Sequence, residues 1–137
     1  MRFTYVGRLA GRNKEISANR SHWAAGAKVK ADNEEVLRWA IRVAQMQGDI
    51  EPIKKPVEVY IEWHDAPRHR DVDNIQSSTK YILDALKETG ILPDDNQNWV
   101  RQVWQKVVPD ADDYVVVELS YEGYSIERRH NGDTDKP

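Results

Sequence analysis

Residues 56–63, PVEVYIEW, decide how the chain is read. Val57, Val59, Ile61 and Trp63 alternate with Glu58, Tyr60 and Glu62, the period-two pattern of a strand with one face buried. The strand runs straight into a basic, proline-containing stretch, HDAPRHR, and then into RDVDN at 70–74. Working outward, IQSSTKYILDALKETG at 75–90 reads as a helix, with Ile75, Ile82, Ala85 and Leu86 on its apolar side and Gly90 as its stop. On the other side, apolar residues recur at helical spacing from Asp32 to Gln47 (Val36, Leu37, Trp39, Ala40, Val43, Ala44, Met46), with Asp32 or Asn33 as N-cap and Gly48 ending the helix.

RFTYVG at 2–7 alternates as a strand, and residues 8–30 read as a long polar loop. PDDN at 93–96 is turn chemistry. Val100–Val108 and Asp113–Tyr121 read as two strands forming a hairpin about the PDADD turn. The expected order is β-α-β-α-β-β, an α/β (α+β) fold in which two main helices pack on a small mixed sheet. With 137 residues the chain fits one domain, placed at 1–121, with 122–137 as a polar tail.

There are no cysteines, which excludes disulfide frameworks and thiolate metal sites. The charged start MRFTYVGRLAGRNKE lacks the apolar run of a signal peptide, and no stretch reaches membrane-spanning length. The expectation is a cytoplasmic protein without a membrane partner. The net charge of −3 hides an asymmetry: residues 1–30 carry seven basic side chains against one acid, leaving −9 for the remainder. That division suits a basic surface for a polyanion and an acidic cluster elsewhere, or simply a solvated basic face.

In an extended segment Asp71 and Asp73 would project to one side, about 6.6 Å apart, with Val72 facing the core. Two aspartates so placed can share a hard divalent cation such as Mg²⁺. The structural alternative makes Asp73 or Asn74 a helix cap and pairs Asp71 with Arg70 or Arg68. Asp94 and Asp95 form a second acidic pair, with turn chemistry as its alternative. Seven residues beyond Asp73, about 10 Å along a helix, Lys80 would share its face, with Asp84 continuing the stripe. Paired acids, a lysine and basic segments are the parts of metal-assisted phosphodiester hydrolysis.

In order, RDVDN, Lys80, LDAL at 83–86, Gly90 and the DD of 94 and 95 resemble the RusA-like crossover junction endodeoxyribonucleases, Holliday junction resolvases of phages and prophages. The pattern occupies 70–95, about a fifth of the chain. The resemblance implies a Mg²⁺-dependent homodimer, with Mn²⁺ able to substitute, that binds four-way DNA junctions and nicks two strands in recombination and repair. By position, Asp71 and Asp73 match the metal-binding pair, Asp95 the third essential carboxylate, Asp94 its acidic neighbour and Lys80 the catalytic lysine. Asn19, Arg20 and Lys28 match the DNA-contacting segment loosely, and Arg68 and Arg70 are expected to address phosphate.

Two departures stand out. IQSST puts five residues between Asn74 and Lys80 where the pattern has two, and the apolar residue after the DD arrives only at Trp99 and Val100. A helix over 75–88, about 21 Å long, also makes it hard for Asp95 to return to Asp71. Either the helix starts later, at Ser77 or Ser78, or one site combines two subunits. The five tryptophans read mostly as core, and His64 and His69 as phosphate contacts or bystanders. A non-catalytic junction-binding accessory protein and a nucleotide phosphohydrolase are the competing functions.

Overall fold

The computed structural model describes residues 1–7, 9, 23–66 and 70–123; within 23–31 only the Lys28 side chain is described. Four strands, β1 (Arg2–Val6), β2 (Val57–Asp65), β3 (Val100–Pro109) and β4 (Tyr114–Tyr121), form one mixed sheet in the order β1-β4-β2-β3. The helices are α1 (Trp23–Met46), α2 (Val72–Gln76) and α3 (Thr79–Glu88). The mixed α/β architecture is as expected, with the second helix in two pieces.

The alternation of β2 does what its period requires: Val57, Val59, Ile61 and Trp63 are buried, while Glu58, Tyr60, Glu62 and His64 lie on the other, half-covered face. On the buried face they join Phe3, Val115, Val117 and Leu119 from the sheet, Leu37 and Ile41 from α1, and Tyr81, Ile82, Ala85 and Leu86 from α3. Both main helices stop at glycines in the left-handed region, Gly48 at φ 77° and Gly90 at φ 81°. At each end the paired bonds that close a helix are present. Asp49 N–H donates to the Ala44 carbonyl (2.9 Å) and Ile91 N–H to that of Leu86 (3.0 Å), beside the shorter-range bonds of Gly48 and Gly90.

Four expectations are corrected. Residues 23–30 belong to α1 and are not loop; Asp32 and Asn33 therefore lie inside the helix rather than at its cap. The apolar pattern began at 32 only because the first turns lack a clear stripe. Second, β3 and β4 are not a hairpin. β3 pairs in parallel with β2, whereas β4 runs antiparallel between β1 and β2, so the 110–113 turn crosses over the end of β2. The hydrophobic faces of β2 and β4 match best as neighbours, which places the most buried strands at the sheet centre. A central β2 makes β2-α2-α3-β3 a parallel crossover.

Third, the predicted 75–90 helix breaks at Ser77–Ser78. The Ser77 hydroxyl donates to the Asn74 carbonyl (2.5 Å) and that of Thr79 to the Gln76 carbonyl (2.6 Å), so side chains take acceptors a continuing helix would use. Counting faces from Asp73 to Lys80 along one helix no longer applies. Fourth, Glu122 is tied to the domain, its N–H donating to the Pro56 carbonyl (3.0 Å); residues 124–137 lie outside the described residues. Among the described residues no helix is long and apolar enough to cross a membrane.

Candidate metal and nucleic-acid site

The site is built at the carboxyl end of β2. Asp65, the last residue of that strand, is 2 % exposed and accepts two bonds on Oδ1 from Arg70, from Nε at 2.9 Å and Nη2 at 2.5 Å. A buried carboxylate needs such a partner, and the bidentate guanidinium supplies it while pinning the chain where it turns into RDVDN. Arg70, expected as a phosphate contact, is thus engaged inward. Beside the pair lies a cavity of about 240 Å³ walled by Asp65, Arg70, Val72, Ile75, Val107 and Pro109. It opens at the carboxyl ends of the parallel strands β2 and β3, where ligand crevices of α/β sheets form.

Asp71 occupies the N-cap position of α2, at φ −65° and ψ 138°, yet its side chain makes no capping bond; only its carbonyl serves, accepting from Ile75 N–H at 3.1 Å. Among the described residues its carboxylate has no ion pair, because Arg70 has turned to Asp65. Asp73 lies in the first turn of α2 and accepts from Asn74 N–H at 2.9 Å. Both aspartates are exposed. The two do not project to one edge as in a strand, since helical backbone begins at Val72, and Val72 itself is 53 % exposed rather than facing the core. The Asn74 Oδ1 atom is buried with no hydrogen-bond partner among the described residues.

The second acidic pair stands elsewhere. Asp94 and Asp95 follow α3 and precede β3, at the amino end of the β2–β3 pair, whereas Asp71 and Asp73 follow its carboxyl end. Ten residues of α3, about 15 Å, lie between. Asp94 is occupied by its turn. It accepts from Asp95 N–H (2.8 Å), from Asn96 Nδ2 (3.2 Å) and from Lys87 Nζ (3.3 Å), and the bond from Asp95 first, then that from Lys87, holds its carboxyl below the usual aspartate range. The same contact raises the Lys87 amine, aided by the charges of Asp95 and Asp84. Lys80 is exposed at the start of α3, 3.6 Å from Asp84 Oδ2. Among the described residues no three His, Cys, Asp or Glu side chains converge to hold a metal.

Of the expected DNA contacts, Asn19, Arg20 and Arg68 lie outside the described residues, as does His69. Lys28 is exposed on α1, 3.2 Å from Asp32. Trp63 is core and donates from Nε1 to Gln105 (2.8 Å), but Trp39 is 71 % exposed.

Sequence reading missed the polar cluster on the open face of the sheet. His64 sits between two carboxylates, Nε2 2.5 Å from Glu62 Oε1 and Nδ1 2.7 Å from Asp110 Oδ2, and stacks on Tyr114 at 3.8 Å. Neither nitrogen is left for phosphate or metal. Burial pushes the Glu62 carboxyl up, but hydrogen bonds from Tyr60 and His64 and the charges of His64 and Lys106 outweigh it and hold it below the ordinary glutamate range. The period of β2 placed Glu62 and His64 on one face; the crossing of the 110–113 turn, which brings Asp110, had no signal in it.

No known family model matches the chain, and no curated protein matches it either.

Proposed function

We propose that the protein is a Mg²⁺-dependent endonuclease acting on branched DNA, with four-way junctions as substrate and a homodimer as the active form. One observation carries this reading: Asp71 is exposed, makes no capping bond and has no ion partner among the described residues, although its neighbour Arg70 could have supplied one. Two structural duties that would explain it away, helix cap and partner of Arg70, are unfilled, and Arg68, the other partner expected for it, lies outside the described residues. An acid with no ion partner among the described residues, beside a second acid, suits a cation.

The donor chemistry fits. Asp71, Asp73 and Asn74 Oδ1, which has no partner among the described residues, are hard oxygen donors within four consecutive residues, the kind Mg²⁺ takes. Asp71 and Asp73 would hold the ion, whose contribution when bound is to activate water and neutralise charge at the phosphorus oxygens. Arg70 fixes the segment through Asp65. Lys80, exposed, would meet phosphate. Asp94 and Asp95 of the same chain stand at the far end of α3, which favours completion of each site by Asp95 from a second copy.

A synthetic four-way junction with and without Mg²⁺, with Asp73→Asn in parallel, tests the reading. Cleavage should need the metal and vanish in the variant; cleavage that survives the substitution, or junction binding without cleavage in Mg²⁺ or Mn²⁺, means a non-catalytic binder instead. Mixing Asp71→Asn with Asp95→Asn chains should restore part of the activity if sites are shared, and restore none if they are not.

A further inference from the structure

The outer surface of α1 is built against the usual rule for a helix on a sheet. Leu37, Ile41 and Ala44 face the core, yet Val36, Trp39, Val43 and Met46 form a second apolar stripe at helical spacing on the solvent side. Trp39 is 71 % and Met46 87 % exposed, and Val6 at the end of β1 is 82 % exposed. Scattered exposed apolar residues need no explanation, but a continuous stripe marks an interaction surface. Between the stripe and β1 runs a groove of about 620 Å³, bounded on one side by Thr4, Tyr5 and Val6.

β1 is an edge strand. Phe3 and Tyr5 turn their backbone groups to β4, so those of Arg2, Thr4 and Val6 point outward, and Asp49 takes only the Arg2 N–H, at 3.1 Å. Among the described residues nothing pairs with the outward N–H and C=O groups of Thr4 and Val6, which lie alongside an apolar groove as a template for a further strand.

We infer that a second copy of this chain docks here, β1 against β1 and α1 against α1 about a two-fold axis near Tyr5 and Trp39. The pattern is self-complementary in two independent ways. An antiparallel β1 pair centred on Tyr5 sets Thr4 opposite Val6 of the partner and the reverse, which pairs the outward backbone groups and joins the two sheets into one of eight strands. On α1, exposed Glu35 and Arg42 flank Trp39 seven residues apart and have no ion partner among the described residues. Two antiparallel copies of α1 centred at Trp39 set Glu35 of each against Arg42 of the other. Arg38 plays no part, being held by Glu88 at 2.7 Å and Glu34 at 3.7 Å.

The nuclease reading also calls for a homodimer but says nothing of which face forms it. Molar mass measured by sedimentation without DNA or metal tests the interface independently of any cleavage. The full-length chain should be dimeric at micromolar concentration. Trp39→Ser should weaken the dimer at least about tenfold, with circular dichroism unchanged because the side chain is already exposed. Glu35→Arg and Arg42→Glu should each weaken it by repulsion, and the double charge swap should restore it. A wild-type monomer at every concentration, whether the groove is empty or covered by the chain's own residues, overturns the proposal. So does a dimer that none of these substitutions affects.

Discussion

The two ends of the β2–β3 crossover carry the same chemistry, a pair of aspartates, put to opposite uses. At the amino end Asp94 takes three donors from its own turn and from Lys87, so that its charge is spent on holding the chain between α3 and β3. At the carboxyl end Asp71 and Asp73 make, among the described residues, a single side-chain bond, from Asp73 to the Asn74 N–H, while the neighbouring arginine is drawn away to buried Asp65. The difference teaches that acidic residues are assigned by what they leave unsatisfied, not by how they cluster.

The comparison breaks first on activity. Asp71→Asn or Asp73→Asn should reduce junction cleavage by about a hundredfold or more with the melting temperature little moved, since both side chains are exposed and the amide oxygen put in place of the Asp73 carboxylate can still accept the Asn74 N–H. Asp94→Asn should do the reverse, costing some stability and less activity. An equal loss of cleavage from all three, with melting temperature constant, would place Asp94 in the reacting site as well.

Stability gives the next contrast. Arg70→Ala takes the guanidinium away from the buried Asp65 carboxylate, and should cost about 3 kcal/mol or more in urea unfolding. Lys87→Ala removes an exposed partner of Asp94 and should shift the midpoint much less. Changing both, as Asp65→Asn with Arg70→Ala, should recover part of the loss, because the buried charge is gone. If Arg70→Ala proves as mild as Lys87→Ala, Arg70 is not what anchors RDVDN.

How much of this was legible depended on whether the cause was local. The alternation of Val57 to Trp63 and the glycine stops at 48 and 90 act through backbone period and φ, which residue types reveal directly. The break at Ser77–Ser78 was half legible: five residues where two were expected marked the place, but hydroxyl capture of the Asn74 and Gln76 carbonyls depends on their rotamers. Strand neighbours were not legible, since Val100–Val108 and Asp113–Tyr121 with a short turn between them read as a hairpin whether or not another strand intervenes. Asp71 was ambiguous for the same reason. Whether it pairs with Arg70 depends on Asp65, five residues back and buried only once β2 is central.

The smallest effect tests the open face of the sheet against the covered one. Glu62 and Asp110, on either side of His64, both have carboxyls held below their ordinary values of 4.5 and 3.8, Glu62 against the opposing pull of burial and Asp110 first through its bond from His64. A depressed folded value means that the unfolded chain binds the proton more readily. Their contribution is therefore fully present above about pH 4.5 and is lost as the pH falls through the folded values. Unfolding midpoints should hold level from neutrality to about pH 5 and decline below it, and Glu62→Gln should make that decline shallower. His64 lies against both carboxylates, so His64→Gln should flatten the same limb by removing the group they share. An acid limb unchanged in both variants would mean that the pair of carboxylates contributes nothing to the fold, and that the 110–113 turn is held over β2 without them, through Asp113 Oδ1, which accepts from Ala66 N–H at 2.8 Å, and the Asp110 N–H bond to the Asp65 carbonyl at 3.4 Å.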